Sequence, residues 1–172
     1  MANTYTLISS NVLSSAATSV TFSSIPATYT DLVLRISTRN DGAVNNNNLG
    51  IRVNGLSTTI YSSTYLQGSG SAASSSNSSG DNALQANLTQ GSLTLADTFT
   101  SLEFYFSNYA GSNNKPVSGI SQGESNVTSA VTRATANLIQ TTSAITSILI
   151  YEVGSYNFVS GSSFYLYGIK NS

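Results

Sequence analysis

The stretch that decides the fold is "GSSFYLYGIKNS", residues 161–172. A frayed terminal segment is ordinarily polar and expendable. This one carries Phe164, Tyr165, Leu166, Tyr167 and Ile169, with Gly161 before the run and Gly168 inside it. Left unpaired it would be an aggregation-prone edge, so it reads as a strand that is paired in a sheet and covered. Alternation places Phe164 and Leu166 toward a core and Tyr165 and Tyr167 on the other side.

Working outward, the same period-2 pattern recurs along the chain and helical spacing is almost absent. Strand-like runs cover residues 4–9, 19–24, 31–38, 49–53, 57–66, 83–89, 92–95, 101–108, 117–122, 127–139, 144–153 and 163–169. In one of them Leu102, Phe104 and Phe106 alternate with Glu103 and Tyr105, which assigns the first three to a buried face. The segment "NVTSAVTRATANLIQ" has helix-like length, but its Val and Thr content favours strand. Three strands begin alike, with Thr30-Asp31-Leu32, Thr100-Ser101-Leu102 and Thr146-Ser147-Ile148 preceded by Tyr29, Phe99 or Ile145.

Turn chemistry agrees with an all-β chain. Asn54-Gly55 between "IRV" and "LSTTI" predicts a hairpin, because both residues tolerate positive φ. "RNDGAVNNNN" and "QGSGSAASSSNSSGDN" read as loops by composition, the second a low-complexity loop over about residues 67–82. Small side chains let backbones approach closely, which makes Gly68, Ser69, Gly70, Ser75, Asn77 and Asp81 a candidate assembly loop. Many short strands with Gly and Asn turns predict residues 1–172 to be one antiparallel β-sandwich domain, jelly-roll-like, of about eight to ten strands.

Charged residues make up 8% of the chain and the net charge is -1, against roughly 25% charged in ordinary globular proteins. Six scattered Lys and Arg residues assemble no basic face, so no nucleic-acid partner is expected. Polarity comes from Ser, Thr, Asn and Gln, a composition better suited to an assembly than to a free monomer. No apolar run approaches the length of a membrane span and the N-terminus lacks the features of a signal peptide, so no membrane partner is expected. The chain reads as soluble and made in the cytosol of whatever cell makes it.

No catalytic constellation emerges. There is no Cys and no His, which removes thiol chemistry and the Ser-His-Asp arrangement. A Ser-Lys variant would need Lys115 or Lys170, and Lys115 reads as a solvated loop residue. Among the acids, Asp31 and Asp97 read as turn residues and Glu103 and Glu152 as outward strand positions, so no pair suits glycoside hydrolysis. Asp41 with Asn45 to Asn48 is a candidate oxygen-ligand set for Ca²⁺, but it lacks EF-hand spacing and reads as turns made by side-chain hydrogen bonds. No catalytic residue, metal or cofactor is expected. Ten tyrosines and many Asn residues are compatible with a shallow sugar site, for which Tyr61, Tyr65, Tyr109 and Tyr156 are the candidate surface aromatics. Asn87-Leu88-Thr89 and Asn126-Val127-Thr128 match a glycosylation acceptor by pattern alone.

Residues across the chain carry a resemblance. "YTLISSNVLSSAATSVTFSSIPATYTDLVLRIS" from Tyr5, "IRVNG" followed by a Tyr-bearing strand, Asn108-Tyr109 with the downstream Lys115, "AITSILIY" from Ala144 and "GSSFYLYGI" from Gly161 occur in that order. The chain in this respect resembles small virion structural proteins of tailed bacteriophages, especially those of aquatic bacteria. One departure is that a Trp precedes the "AITSI" strand in many relatives, whereas Gln140-Thr141-Thr142 stands here and the chain has no Trp. The resemblance implies a non-enzymatic capsid decoration (cement) protein on the outer capsid surface of the virion. Its partner would be the major capsid protein, and it would act as a homo-oligomer, a trimer being favoured. The alternative it implies is a host-adsorption protein, a tail fibre or receptor-binding domain that recognises a cell-surface glycan.

Overall fold

A computed structural model describes residues 4–70, 72–124 and 130–170, and of Ala86 and Asn87 the backbone only. Among the described residues there are twelve strands and no helix. In chain order they are β1 (Tyr5–Val12), β2 (Ser19–Phe22), β3 (Asp31–Thr38), β4 (Asn46–Val53), β5 (Tyr61–Ser69), β6 (Ala72–Asp81), β7 (Leu84–Gln90), β8 (Thr100–Phe106), β9 (Lys115–Glu124), β10 (Ala130–Ile139), β11 (Ile148–Glu152) and β12 (Ser163–Ile169). They form an eight-stranded sheet, β1-β12-β3-β8-β9-β10-β5-β6, and a four-stranded sheet, β2-β11-β4-β7. Every ladder is antiparallel. The protein is an all-β antiparallel sandwich.

The connectivity has a simple logic. Strands β1 and β2, β3 and β4, β7 and β8, and β11 and β12 each step from one layer to the other, while β5–β6 and β9–β10 are hairpins wholly within the large sheet. These hairpins extend the large sheet beyond the width of the small one.

The closing strand lies where its sequence requires. β12 is hydrogen-bonded to β1 on one side and β3 on the other, with Leu166 opposite Leu34 and Phe164 opposite Ile36. Phe164 and Leu166 are fully buried, and Tyr165 and Tyr167 lie half-buried on the opposite face. Phe164 meets Phe158 edge-on at 5.0 Å between ring centres, a favoured aromatic geometry. A Cβ at Gly168 would overlap the ring of Tyr29, so the glycine inside this strand is a close approach. Leu102, Phe104 and Phe106 are buried as expected, and "VTRATANLI" is strand β10.

Three expectations are corrected. Residues 67–82 are not a loop: β6 pairs with β5 from Ser69 opposite Ala72 to Tyr61 opposite Asp81. Composition misleads because a ladder uses the backbone, and β5 supplies the register that Ser-rich β6 lacks. Gly70 and Gly80, at φ 64° and 70°, make the turn and the bulge of this ribbon. Residues 92–95 form turns rather than a strand, wrapped around the buried Arg39, whose guanidinium donates to Thr94 Oγ1 at 2.8 Å and Leu95 O at 2.6 Å. The Asn54-Gly55 turn forms, with φ 53° and 68° and Leu56 N donating to Val53 O at 2.9 Å. Yet it joins no hairpin, since β4 and β5 lie in different sheets. Asn54 Oδ1 accepts instead from Thr146 N and Ser147 N, tying the turn to the start of β11.

Candidate binding surface

The six assembly residues fall on one structural unit, the β5–β6 ribbon. Gly68, Ser69 and Gly70 sit at its tip, Ser75 and Asn77 midway along β6, and Asp81 at its base. β6 closes the large sheet at one edge and is exposed from Ala72 to Gly80. No charged residue and no proline interrupts that stretch.

Beneath the ribbon, where the large sheet overhangs β4 and β7, lies a cleft of about 220 Å³ lined by polar groups, among them Asn48, Ser63, Tyr65, Asp81, Gln85 and Arg133. Period-2 alternation builds its floor. Ser63 and Tyr65 of β5 stand beside Arg133 and Thr135 of β10 on the inner face, while Leu66, Ala134 and Ala136 point outward and are exposed. The Arg133 guanidinium carbon lies 4.1 Å from the centre of the Tyr65 ring, a cation–π stack in a partly desolvated setting. Arg133 Nε donates to Gln67 Oε1 at 3.0 Å and Nη1 to Asn48 Oδ1 at 3.4 Å. Burial lowers the pKa of Arg133, and the Tyr65 phenol opposes that. Asn77 borders the cleft, but its pairing with Thr64 turns its side chain to the outward face.

The four candidate tyrosines part company. Tyr65 lines the cleft and is half-buried. Tyr156 is half-buried against Gly42 and Gly154, at another part of the surface. Tyr61 and Tyr109 are buried, not surface residues, at 1% and 0% exposure. Each hydroxyl finds backbone partners, and this lets the whole ring go inside. Tyr61 OH accepts from Val53 N at 3.1 Å and donates to Leu56 O at 2.8 Å, and Tyr109 OH donates to Pro26 O. Burial raises the pKa of both.

Two charged residues are also relocated. Lys115 is not solvated: it is 1% exposed at the first position of β9, and its Nζ donates to Gly111 O and Asn113 O. The loop carbonyls replace water as its partners. Glu152 is not outward but 2% exposed. Its Oε2 accepts from Asn47 Nδ2 and Thr89 Oγ1, both at 2.8 Å, and from Asn40 Nδ2 at 3.3 Å. Burial pushes this carboxyl up to about 7 in spite of those hydrogen bonds. By contrast Glu103 is an outward, half-exposed strand residue that meets Arg35 at 2.8 Å.

The Asn/Asp stretch is engaged structurally. Asp41 accepts from Asn157 N at 2.8 Å and Asn157 Nδ2 at 2.7 Å, and these bonds lower its pKa. The bonds run to a distant segment rather than within the local turn. Asn46, Asn47 and Asn48 belong to β4. Asp31, buried at the start of β3, accepts from Tyr105 OH and Asn108 N, and the former bond helps to push the Tyr105 phenol up to about 12. Asn126-Val127-Thr128 lies outside the described residues, as does the Asn87 side chain.

Sequence reasoning singled out Tyr65, Asn77 and Asp81, and Asn48 in another role, but missed Ser63, Gln85 and Arg133. The signal lay in "TRATAN", where the outward positions Thr132, Ala134 and Ala136 are small and the larger polar residues alternate in phase with buried Ile139. Comparison with protein-family models, with curated proteins and with solved structures finds no match to this chain.

Proposed function

We propose that the chain is a non-enzymatic virion structural protein, a capsid decoration protein that binds the outside of the shell and stabilises it. The observation that carries this reading is the bare edge of β6, nine residues from Ala72 to Gly80 without charge or proline and exposed throughout. Soluble β proteins guard long edges with charges, prolines or cover. An edge left open in this way suits a strand added from a neighbour, with main-chain hydrogen bonds supplying affinity. The order of the layers fits the same reading. We take β1-β12-β3-β8 facing β2-β11-β4-β7 as a jelly roll, with β5–β6 and β9–β10 as insertions that carry the binding edge outward. The partner is the major capsid protein, and the protein acts as a homotrimer at local threefold positions of the shell. Weak contacts linked in three copies bind with an avidity none has alone.

Virions made without the protein should release DNA at lower temperature yet still adsorb to cells. If they stay heat-stable and fail to adsorb, the protein belongs to the adsorption apparatus instead. A Ser75→Lys/Asn77→Lys double variant places two charges on the edge strand and should fold normally but fail to join the shell.

A further inference from the structure

The geometry points to a binding site for one ring of a neutral saccharide in the cleft beneath the β5–β6 ribbon. Three features converge there.

The first is charge. Arg133 is held in the floor, 8% exposed, by Tyr65, Gln67 and Asn48. Asp81 stands at the rim, half-buried, and its carboxylate makes no hydrogen bond or ion pair among the described residues. A cation and a carboxylate thus line one small cleft without meeting. An anionic ligand is disfavoured by Asp81 and a cationic one by Arg133. A neutral polyol suits the cleft, since its hydroxyls donate to the Asp81 carboxylate at the rim.

The second is an open valence. Ser63 is 5% exposed and its Oγ has no hydrogen-bond partner. A buried hydroxyl in that state is destabilising. It lies on the lining of the cleft, and a ligand hydroxyl, which both donates and accepts, is the group that completes it.

The third is the lining as a whole. Among the described residues no aliphatic side chain contributes to the wall, and Tyr65 is the one aromatic. A lipid or a peptide anchored by apolar side chains would find nothing to bury against. The volume, about 220 Å³, is below the roughly 300–1,000 Å³ of pockets for drug-sized ligands. It suits a single ring whose neighbours extend into solvent through the open mouth. This site uses side chains of the inner face, whereas assembly uses the free backbone edge of β6, so either can fail without the other.

The test is ligand-observed saturation-transfer NMR on the whole chain with the methyl glycosides of glucose, galactose, mannose and N-acetylglucosamine, and with glucuronic acid and glucosamine as charged probes. At least one neutral glycoside should receive saturation and the charged probes none. Asp81→Asn should weaken that binding about tenfold, as expected for loss of a charge-assisted bond. Ser63→Ala should weaken it several-fold without lowering the melting temperature, a combination that a purely structural serine would not give. Tyr156→Phe, away from the cleft, should change nothing. The proposal is overturned if no neutral glycoside receives saturation, if only charged probes do, or if binding is indifferent to both Asp81→Asn and Ser63→Ala.

Discussion

Two halves of one sheet can be set side by side. On the inner face of β12, β3 and β8 stand Phe164, Leu166, Leu34, Ile36, Leu102 and Phe104, none more than 3% exposed. On the same face of β9, β10 and β5 stand Ser121, Arg133, Thr135, Asn137 and Ser63, also buried but polar. The ladders are equally regular in both halves. What differs is the source of specificity. In the first half a one-residue slip would expose an entire apolar row, so burial fixes the register. In the second the side chains must find hydrogen bonds, and they do so incompletely: Ser63 Oγ and Asn137 Oδ1 lack partners. Conventional packing thus dominates β12, β3 and β8, while unfinished bonding sits on β10 and β5, beneath β7 and beside the cleft.

The comparison is broken most directly at Phe164. Phe164→Ala should cost roughly 3–5 kcal/mol, the range for a buried Phe, or about 2–4 °C of melting temperature per kcal/mol at this size. A variant that melts within a degree or two of the parent would show that the apolar half is not the core.

The next largest effect concerns Glu152, set among Asn40, Asn47 and Thr89. Its carboxyl is raised from 4.5 to about 7 in the folded chain. Between those values the folded state binds more protons than the unfolded one, so stability from this group is fullest below about pH 4.5 and is lost as pH rises through about 7. The size is roughly 3 kcal/mol. Urea unfolding from about pH 4 to about pH 8 should show Glu152→Gln gaining on the parent as pH rises; parallel curves would remove the buried charge from the account.

Tyr61→Phe, in the polar half, should cost about 1–3 kcal/mol, because it leaves Val53 N without its buried acceptor. Denaturant midpoints measure this, and a neutral result would mean that backbone shifts replace the lost bond. Smallest of all should be Ser75→Lys/Asn77→Lys, within about 0.5 kcal/mol of the parent, since both residues are exposed. A large loss there would mean that the ribbon belongs to the core.

The apolar half was legible in the sequence and the polar half was not, for one physical reason. Alternation shows which residues share a face, and Phe or Leu in that alternation also shows that the face is buried. Phe164, Leu166 and the Leu102–Phe106 set were found in this way. Ser, Thr and Asn carry no such preference, so "AASSSNSSGD" offered no sign that it pairs with β5. Nor did Lys115 and Glu152 show that backbone carbonyls and Asn side chains would take the place of their water. The cleft required two layers to part at a particular place, which is a property of topology and not of any one strand. Tyr65 and Asp81 were noticed for their chemistry, while Arg133 was missed because a charged residue in a strand is ordinarily assigned to solvent.

The pairing of β1 with β12 bears on attachment. Tyr5 lies opposite Ile169, and Lys170 N donates to Thr4 O at 3.3 Å. Anything fused before residue 4 or after residue 170 therefore leaves the protein at one shared corner. β6 is the opposite edge of that sheet, seven strand spacings away in the order β1-β12-β3-β8-β9-β10-β5-β6, or roughly 34 Å at about 4.8 Å each. A fluorophore, affinity tag or displayed peptide can be carried at either terminus while the far edge stays clear, and the two termini can be joined by a short linker to make a circular permutant.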